Sequence, residues 1–250
     1  LGTELAKEIQ RRHEEQGVEF RMKTAVSDLI GTDRVSGVVL DSGEELECDV
    51  FIEAIGSEAN VEWLDSNEID LSDGILTDSS LRAVKQDGSS IENVYAVGDC
   101  STFLPLASVS AMQGRTAVFH TMGDVAAPTE VRNVASNVFT APEIASVGWM
   151  EQDIKDGKVN GFVEKIDLNT NPRAKMQGLD FGFIKLICST GGTVIGGVVV
   201  APRASDLIYS IAIAIENRLT ADELARTFTV YPSLSETISN AARALHKPNV

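Results

Sequence analysis

Apolar residues recur at helical spacing at the start of the chain. Leu5, Ile9 and the stem of Arg12 share one face of "LGTELAKEIQRRHEEQG", and Gly17 closes the run. Strand spacing follows in "VEFRMKTAVSDLI". The segment "RVSGVVLDSGEELECDVFIEAIG" predicts a hairpin turning at Asp41-Ser42-Gly43, then a buried strand, "DVFIEAIG". After the loop "SEANVEWLDSNEIDLSDG" come a short strand "ILTD", a polar turn around Asp87-Gly88, the buried strand "NVYAVGDC" and the helix "LASVSAMQGRTAVFHTMG". The pattern changes at "DVAAPTEVRN", read as a linker into a second unit from about residue 130. Beyond it, "VASNVFTAPEIASVGW", "GFVEKIDLN", "DFGFIKLIC" and "TVIGGVVVAP" alternate as strands, and "SDLIYSIAIAIENRL", "TADELART" and "LSETISNAARALH" repeat as helices. That order predicts an antiparallel sheet backed by helices.

Composition narrows the function classes. The 250 residues are 43% hydrophobic and 23% charged, ordinary for a globular chain with one large or two modest cores. Asp and Glu outnumber Lys and Arg by 37 to 21, a formal charge of −16, which argues against a nucleic-acid backbone or an anionic membrane as partner. The most apolar stretch, "DLIYSIAIAIENRL", falls short of the roughly 18 residues a membrane span needs. Cys48, Cys100 and Cys188 are too far apart for a redox dithiol or a metal half-site, and so sparse a cysteine content suits a reducing cytoplasm. The N-terminus opens in mid-helix with neither a Met nor a signal sequence, so the chain reads as a piece of a longer one.

Two places could carry chemistry. In "VYAVGDC", Gly98 and Asp99 follow a hydrophobic strand, where α/β sheets bind ligands beyond their strand ends, and an aspartate there can accept hydrogen bonds from sugar or ribityl hydroxyls. The same dipeptide is also an ordinary strand-end turn. In "TFTVYPSLSETI", Tyr231, Pro232, Ser233 and Glu236 set a phenol and a carboxylate on either side of a proline. The plain reading has Pro232 starting a turn, Ser235 capping the last helix and Glu236 supporting its first turn. His13, His120 and His246 read as surface or packing residues, Arg173 and Lys175 in "NPRAKM" as part of a solvated loop, and Asp206 and Glu216 as the two ends of an apolar helix.

The segment "NVYAVGDCSTFLPLASVSAMQGRTAV" resembles the second FAD-contacting segment of the flavoprotein reductases with two dinucleotide-binding domains, the pyridine nucleotide-disulfide oxidoreductase family of dihydrolipoamide dehydrogenase and glutathione reductase. "VFTAPEIASVG", "NPRAKM", "GFIKLIC", "VIGGVVVAP" and "TFTVYPSLSETI" resemble that family's dimerisation domain, and "PLASVSAMQGR" and "VYPSLS" are similar to its bacterial NAD(P)H:quinone reductase branch. The resemblance implies a fold of α/β plus α+β class: partial dinucleotide-binding, Rossmann-like domains followed by an antiparallel interface domain backed by helices. It divides the chain into a remainder of the NAD(P)-binding domain (1–78), a second FAD-binding segment (79–129) and a dimerisation domain (130–250).

The resemblance implies FAD and NAD(P)H as cofactors. Gly98 and Asp99 would meet the ribityl chain, and backbone N–H groups of Leu106 and Ala107 the flavin's pyrimidine edge, where a positive helix end favours negative charge. Gly56 in "IEAIGSEAN" matches the glycine of the family's GRxPN element beside the nicotinamide, with Ser57 and Ala59 replacing its Arg and Pro. No GxGxxG occurs, so both pyrophosphate-binding turns are expected upstream. In dithiol-cycling members a histidine, oriented by a glutamate, stands where Tyr231 stands here. A phenol with an ordinary pKa near 10 does not shuttle protons at neutral pH as an imidazole near 6.5 does. Glu236 keeps its place, and Tyr231 becomes a pocket wall and hydrogen-bond donor. The implied protein is a cytoplasmic homodimer whose flavin reduces a small acceptor of the quinone type directly. The alternatives are a dihydrolipoamide dehydrogenase-like disulfide reductase and a dimerisation module with no catalysis of its own.

Overall fold

The computed structural model describes residues 2–64, 68–124 and 130–246. Two compact units result, split between Glu58 and Ala59.

In the first unit, helix α1 (Thr3–Glu14) runs as its apolar spacing predicts. It has no capping side chain at its start, and Gly17, at φ 91°, follows its end. Ion pairs of Arg11 with Glu8 and Glu15, and of Arg12 with Glu8, line the solvent side. Strands β1 (Val26–Gly31), β2 (Val35–Leu40) and β3 (Glu45–Glu47) form an antiparallel meander. The turn at residues 41–43 is where the pattern puts it: Gly43, at φ 84°, donates its N–H to the Leu40 carbonyl at 2.9 Å.

Two expectations fail in this unit. Residues 18–25 form no strand, because β1 begins only where β2 lies opposite, with Val26 against Leu40. The stretch 49–56 also forms no strand, and Val50, Ile52 and Ile55 are 71%, 81% and 88% exposed. A strand apolar on both faces is stable only between strand neighbours and covering layers, and among the described residues no strand pairs with this one.

Among the described residues the second unit packs around a smaller and a larger core. Ile75, Ala83 and Ala96 centre the first, with Val61, Leu64, Ile69 and Leu71 packed on them. Val61, Leu64, Ile69 and Leu71 therefore pack with the segment that follows them. The expected strand "ILTD" is reduced to bridges, Ile75 with Ser101 and Thr77 with Ala83. Strands β4 (Arg82–Val84) and β5 (Ser90–Tyr95) form a hairpin turning at Gly88. The expected buried strand "NVYAVGDC" stops at Tyr95 and is half exposed, since β4 is its sole strand neighbour among the described residues. Helix α2 (Ala107–Thr121) follows as predicted. Half of the expected linker falls on residues 125–129, and part of the loop before "ILTD" on 65–67, both outside the described residues.

The larger core belongs to a five-stranded antiparallel sheet of β6 (Ser136–Val138), β7 (Glu143–Gly148), β8 (Gly161–Asp167), β9 (Phe183–Ser189) and β10 (Val194–Ala201), in the order β6-β7-β10-β9-β8. Pairing aligns Ala145, Val199, Ile184 and Ile166 in one row, and Val147, Gly197 and Leu186 in the next. Helices α5 (Ala204–Glu216), α6 (Ala221–Arg226) and α7 (Glu236–Leu245) bring Ile208, Ile211 and Ala214, then Ala221, then Ile238, Ala241 and Ala242 into the same cluster. A Cβ on Gly197 would sit 2.9 Å from Ile211, so glycine is what lets α5 lie this close. Two short helices escape the pattern, α3 (Glu151–Lys155) and α4 (Pro172–Met176). The second corrects the expected loop at "NPRAKM": Asn171 caps it and Pro172 occupies its first turn.

Candidate functional site

The hairpin β4–β5 delivers the chain to Gly98. Asp78 anchors its base, accepting from the N–H groups of Ser80 (2.9 Å) and Arg82 (3.0 Å), the Arg82 Nε (2.9 Å) and the Ser90 hydroxyl (2.6 Å). Beyond Tyr95, Ala96 donates to the Leu81 carbonyl at 3.0 Å. On the far side of the turn, Ile75 N–H reaches the Cys100 carbonyl at 2.8 Å. The dipeptide between is thus fixed at both ends.

Gly98 adopts φ 82°, a left-handed conformation, and a Cβ there would come within 3.3 Å of the Ser110 hydroxyl. Its carbonyl takes the N–H (2.9 Å) and the hydroxyl (2.8 Å) of Ser101. Asp99 is exposed, its Oδ1 receives the Ser110 hydroxyl at 3.2 Å, and among the described residues its carboxylate has no further partner. Helix α2 starts beside it with no capping side chain and no acidic residue in its first turn. The Leu106 N–H donates to the Leu104 carbonyl at 2.9 Å, so the donors open to a ligand begin at Ala107.

Gly98, Asp99, Leu106 and Ala107 are therefore brought together, as a cluster the sequence suggested from two separate motifs. The sequence reading missed Gln113, which is buried on the α2 face that carries Val109 and Ala117, its Oε1 accepting the Gly98 N–H at 2.7 Å. Its signal was a polar residue on a stripe of four-residue spacing. A Gln113 Nε2 with no acceptor among the described residues, a left-handed glycine and a carboxylate with the Ser110 hydroxyl as its one partner there, all beside an uncapped helix start, fit a ligand bearing hydroxyls and a hydrogen-bond acceptor edge. Gly56 lies in the first unit, exposed at φ 129°, with open space around its Cα.

Tyr231 and Glu236 belong to the loop and helix start on the larger sheet's helical layer. The Tyr231 ring is 69% exposed and its hydroxyl has no partner among the described residues. Its loop is held by buried Asn171, whose Nδ2 donates to the Ser233 carbonyl and to the Thr237 hydroxyl, each at 2.9 Å, while its Oδ1 caps α4. The Asn-Pro pair was the available signal for that double role. Ser235 makes no capping hydrogen bond, and the Glu236 N–H donates instead to the Ser233 hydroxyl at 3.2 Å, so the expected cap is displaced by two residues. Glu236 Oε2 is buried without a partner among the described residues. The histidines are engaged elsewhere: His13 with the Ile9 carbonyl (2.7 Å), His120 with the Tyr95 hydroxyl (2.7 Å) and His246 with Asp222 (2.6 Å). Asp206 pairs with Arg203 (2.9 Å), and Glu216 accepts from Asn133 (3.1 Å), at the two ends of α5.

Two family models match the chain: pyridine nucleotide-disulphide oxidoreductase over residues 1–114 and the dimerisation domain of the same family over residues 134–242. The chain belongs to the pyridine nucleotide-disulphide oxidoreductase family. Among members of this family, an NAD(P)H dehydrogenase (quinone) of Mycobacterium tuberculosis is 41% identical over 92% of this chain and 47% of its own length. The mitochondrial dihydrolipoyl dehydrogenase of Pisum sativum is 31% identical over 98% of the chain and 50% of its own. The crystal structure of LpdA from Mycobacterium tuberculosis superposes with a TM-score of 0.87 at 39% identity, covering 96% of this chain and 52% of that one. The HOCl-induced flavoprotein disulfide reductase RclA from Escherichia coli shares the fold, with a TM-score of 0.82 at 18% identity over 98% of this chain and 56% of its own. The chain spans about half the length of the curated relatives it matches. Among the described residues no helix is long and apolar enough to cross a membrane.

Proposed function

We propose that these residues carry the second half of an FAD-dependent NAD(P)H oxidoreductase that passes electrons from flavin to a quinone-like acceptor without a histidine-assisted dithiol cycle. The observation that carries it is Tyr231: an exposed, unpartnered phenol stands where a dithiol cycle needs an imidazole, and every histidine has a local partner away from it. Bound flavin supplies hydride acceptance from the nicotinamide and electron transfer to the acceptor. This chain's residues hold and orient it. Asp99 accepts hydrogen bonds from ribityl hydroxyls, the α2 start from Ala107 onward faces the pyrimidine edge, and Gly98 keeps the turn open. Gly56 belongs to the nicotinamide side.

Tyr231 lines the acceptor pocket and offers one hydroxyl proton as a hydrogen bond. Glu236 has no imidazole to orient, and its place in the first turn of the last helix is what it retains. In this reading residues 1–78 complete the NAD(P)-binding domain, 79–129 the FAD-binding domain, and 130–250 the homodimer interface of a cytoplasmic enzyme. The 41% identity to a protein named NAD(P)H dehydrogenase (quinone) favours the quinone acceptor over lipoamide. The test is steady-state turnover of the full-length protein with NADH or NADPH against benzoquinones and against lipoamide. Rapid quinone reduction and slow lipoamide reduction are expected. Lipoamide turnover equal to or above quinone turnover rejects the reading in favour of a disulfide reductase.

A further inference from the structure

Helix α2 buries Val109, Gln113 and Ala117 on one face, and the middle member is an amide that is 1% exposed. Buried amides are costly unless bonded, and a purely structural position on this stripe is better filled by an apolar side chain. Its orientation is fixed by chemistry. The N–H of Gly98 lies 2.7 Å away, and only an oxygen can accept it, so Oε1 faces Gly98 and Nε2 points elsewhere. Nε2 then has no acceptor among the described residues. One turn earlier on α2, the Ser110 hydroxyl reaches the Asp99 carboxylate at 3.2 Å. The Gly98-Asp99 turn is thus stitched to α2 twice, once through backbone and once through carboxylate, from residues 110 and 113 of the same helix.

From these contacts we infer that Gln113 is a positioning residue: through the Gly98 N–H it holds the Asp99 carboxylate at the start of α2, where both meet the hydroxyl-bearing part of the bound cofactor. This rests on the flavin reading above and extends it to a residue that need not touch the flavin. Ser110 alone cannot set the turn, because its single proton is shared between Asp99 and the Leu106 carbonyl at 3.1 Å.

The test compares Gln113→Met, which keeps the shape and removes the amide, with Gln113→Glu, which keeps an oxygen acceptor for Gly98. Both are made in the full-length protein, stripped of flavin and titrated with FAD by fluorescence quenching. Amide hydrogen exchange of Gly98 is followed in the same samples. The Met variant should bind FAD about five- to tenfold more weakly, with faster Gly98 exchange, as expected for one lost hydrogen bond. The Glu variant should stay within about threefold of wild type in both readouts. A Met variant that binds FAD as wild type does overturns the positioning role, whether or not exchange changes, while leaving the flavin reading intact. A wild-type protein that takes up no FAD overturns both. If the Met variant fails to fold, a Glu variant that folds yet binds as weakly as Gln113→Leu overturns the inference, since the acceptor oxygen would then not matter.

Discussion

Replacing Tyr231 by Phe separates direct reduction from a proton-coupled dithiol cycle. The Tyr231 hydroxyl makes no hydrogen bond within the described residues and its ring is 69% exposed, so the substitution removes no internal contact. Stability should therefore change by less than about 0.5 kcal/mol. In turnover the variant loses at most one neutral hydrogen bond to the acceptor, about 0.5–1.5 kcal/mol, a roughly two- to tenfold decrease in kcat/KM. Asp99→Ala supplies the contrast. It deletes a carboxylate that has one hydroxyl partner in the chain and is otherwise open to a ligand. A charged acceptor lost from the cofactor costs about 1.5–3 kcal/mol, so flavin occupancy should fall while the chain stays folded. The assay is NAD(P)H:quinone turnover of the full-length protein normalised to bound flavin, which is read from its visible absorbance. A Tyr231→Phe protein with full flavin occupancy and a thousandfold loss of turnover refutes the reasoning, because Tyr231 would then be an obligatory proton donor.

Three further outcomes follow from the structure. The full-length protein should sediment as a dimer at micromolar concentration, because Phe139, Val230 and Phe228 are 80%, 76% and 101% exposed on a domain of the dimerisation family; a folded monomer contradicts this. Burial alone would raise the Asp78 pKa, but the Ser90 hydroxyl, the Arg82 and Ser80 N–H groups and the Arg82 side chain outweigh it and hold the carboxyl below its usual range. Its stabilisation is thus present above the unfolded pKa near 3.9 and lost as pH falls through the folded value, so Asp78→Ala and wild type, about 1.5–3 kcal/mol apart at pH 7 by urea unfolding, should begin to converge only as pH drops below about 4. Gly196→Ala should destabilise by about 3 kcal/mol or more in the same assay, since its Cβ would lie 1.9 Å from the Trp149 carbonyl oxygen, and a cost below about 1 kcal/mol rejects that tight approach.

The parts of the fold legible in the sequence are those whose partners are near in pattern and in chain. The central strands of the five-stranded sheet are legible as apolar runs bounded by turn residues, because they are buried along nearly their whole length, Val198, Val199 and Val200 among them. The hairpin at Gly43 announces itself through local turn chemistry. What alternation cannot say is whether a partner exists. Residues 49–56 have the composition of an interior strand and pair with no strand among the described residues, and residues 18–25 run past the end of the strand that β1 needs opposite it. Strand pairing is a property of two segments, whereas a hydrophobic run is a property of one. The site shows the same division. Gly98 and Asp99 are conspicuous because they follow a hydrophobic strand inside a segment that resembles the family's FAD-contacting one, although the dipeptide alone is also an ordinary turn, and the helix start after Leu106 follows from periodicity. Gln113, Asn171 and Ser233 are not conspicuous, since their roles arise when an amide or hydroxyl meets a backbone group across a turn or 62 residues away. The residues proposed to meet the cofactor thus stand out by type, while those that hold them are defined by a distance. The distance is created only by folding, so the supporting amides of this site had to be found in the structure.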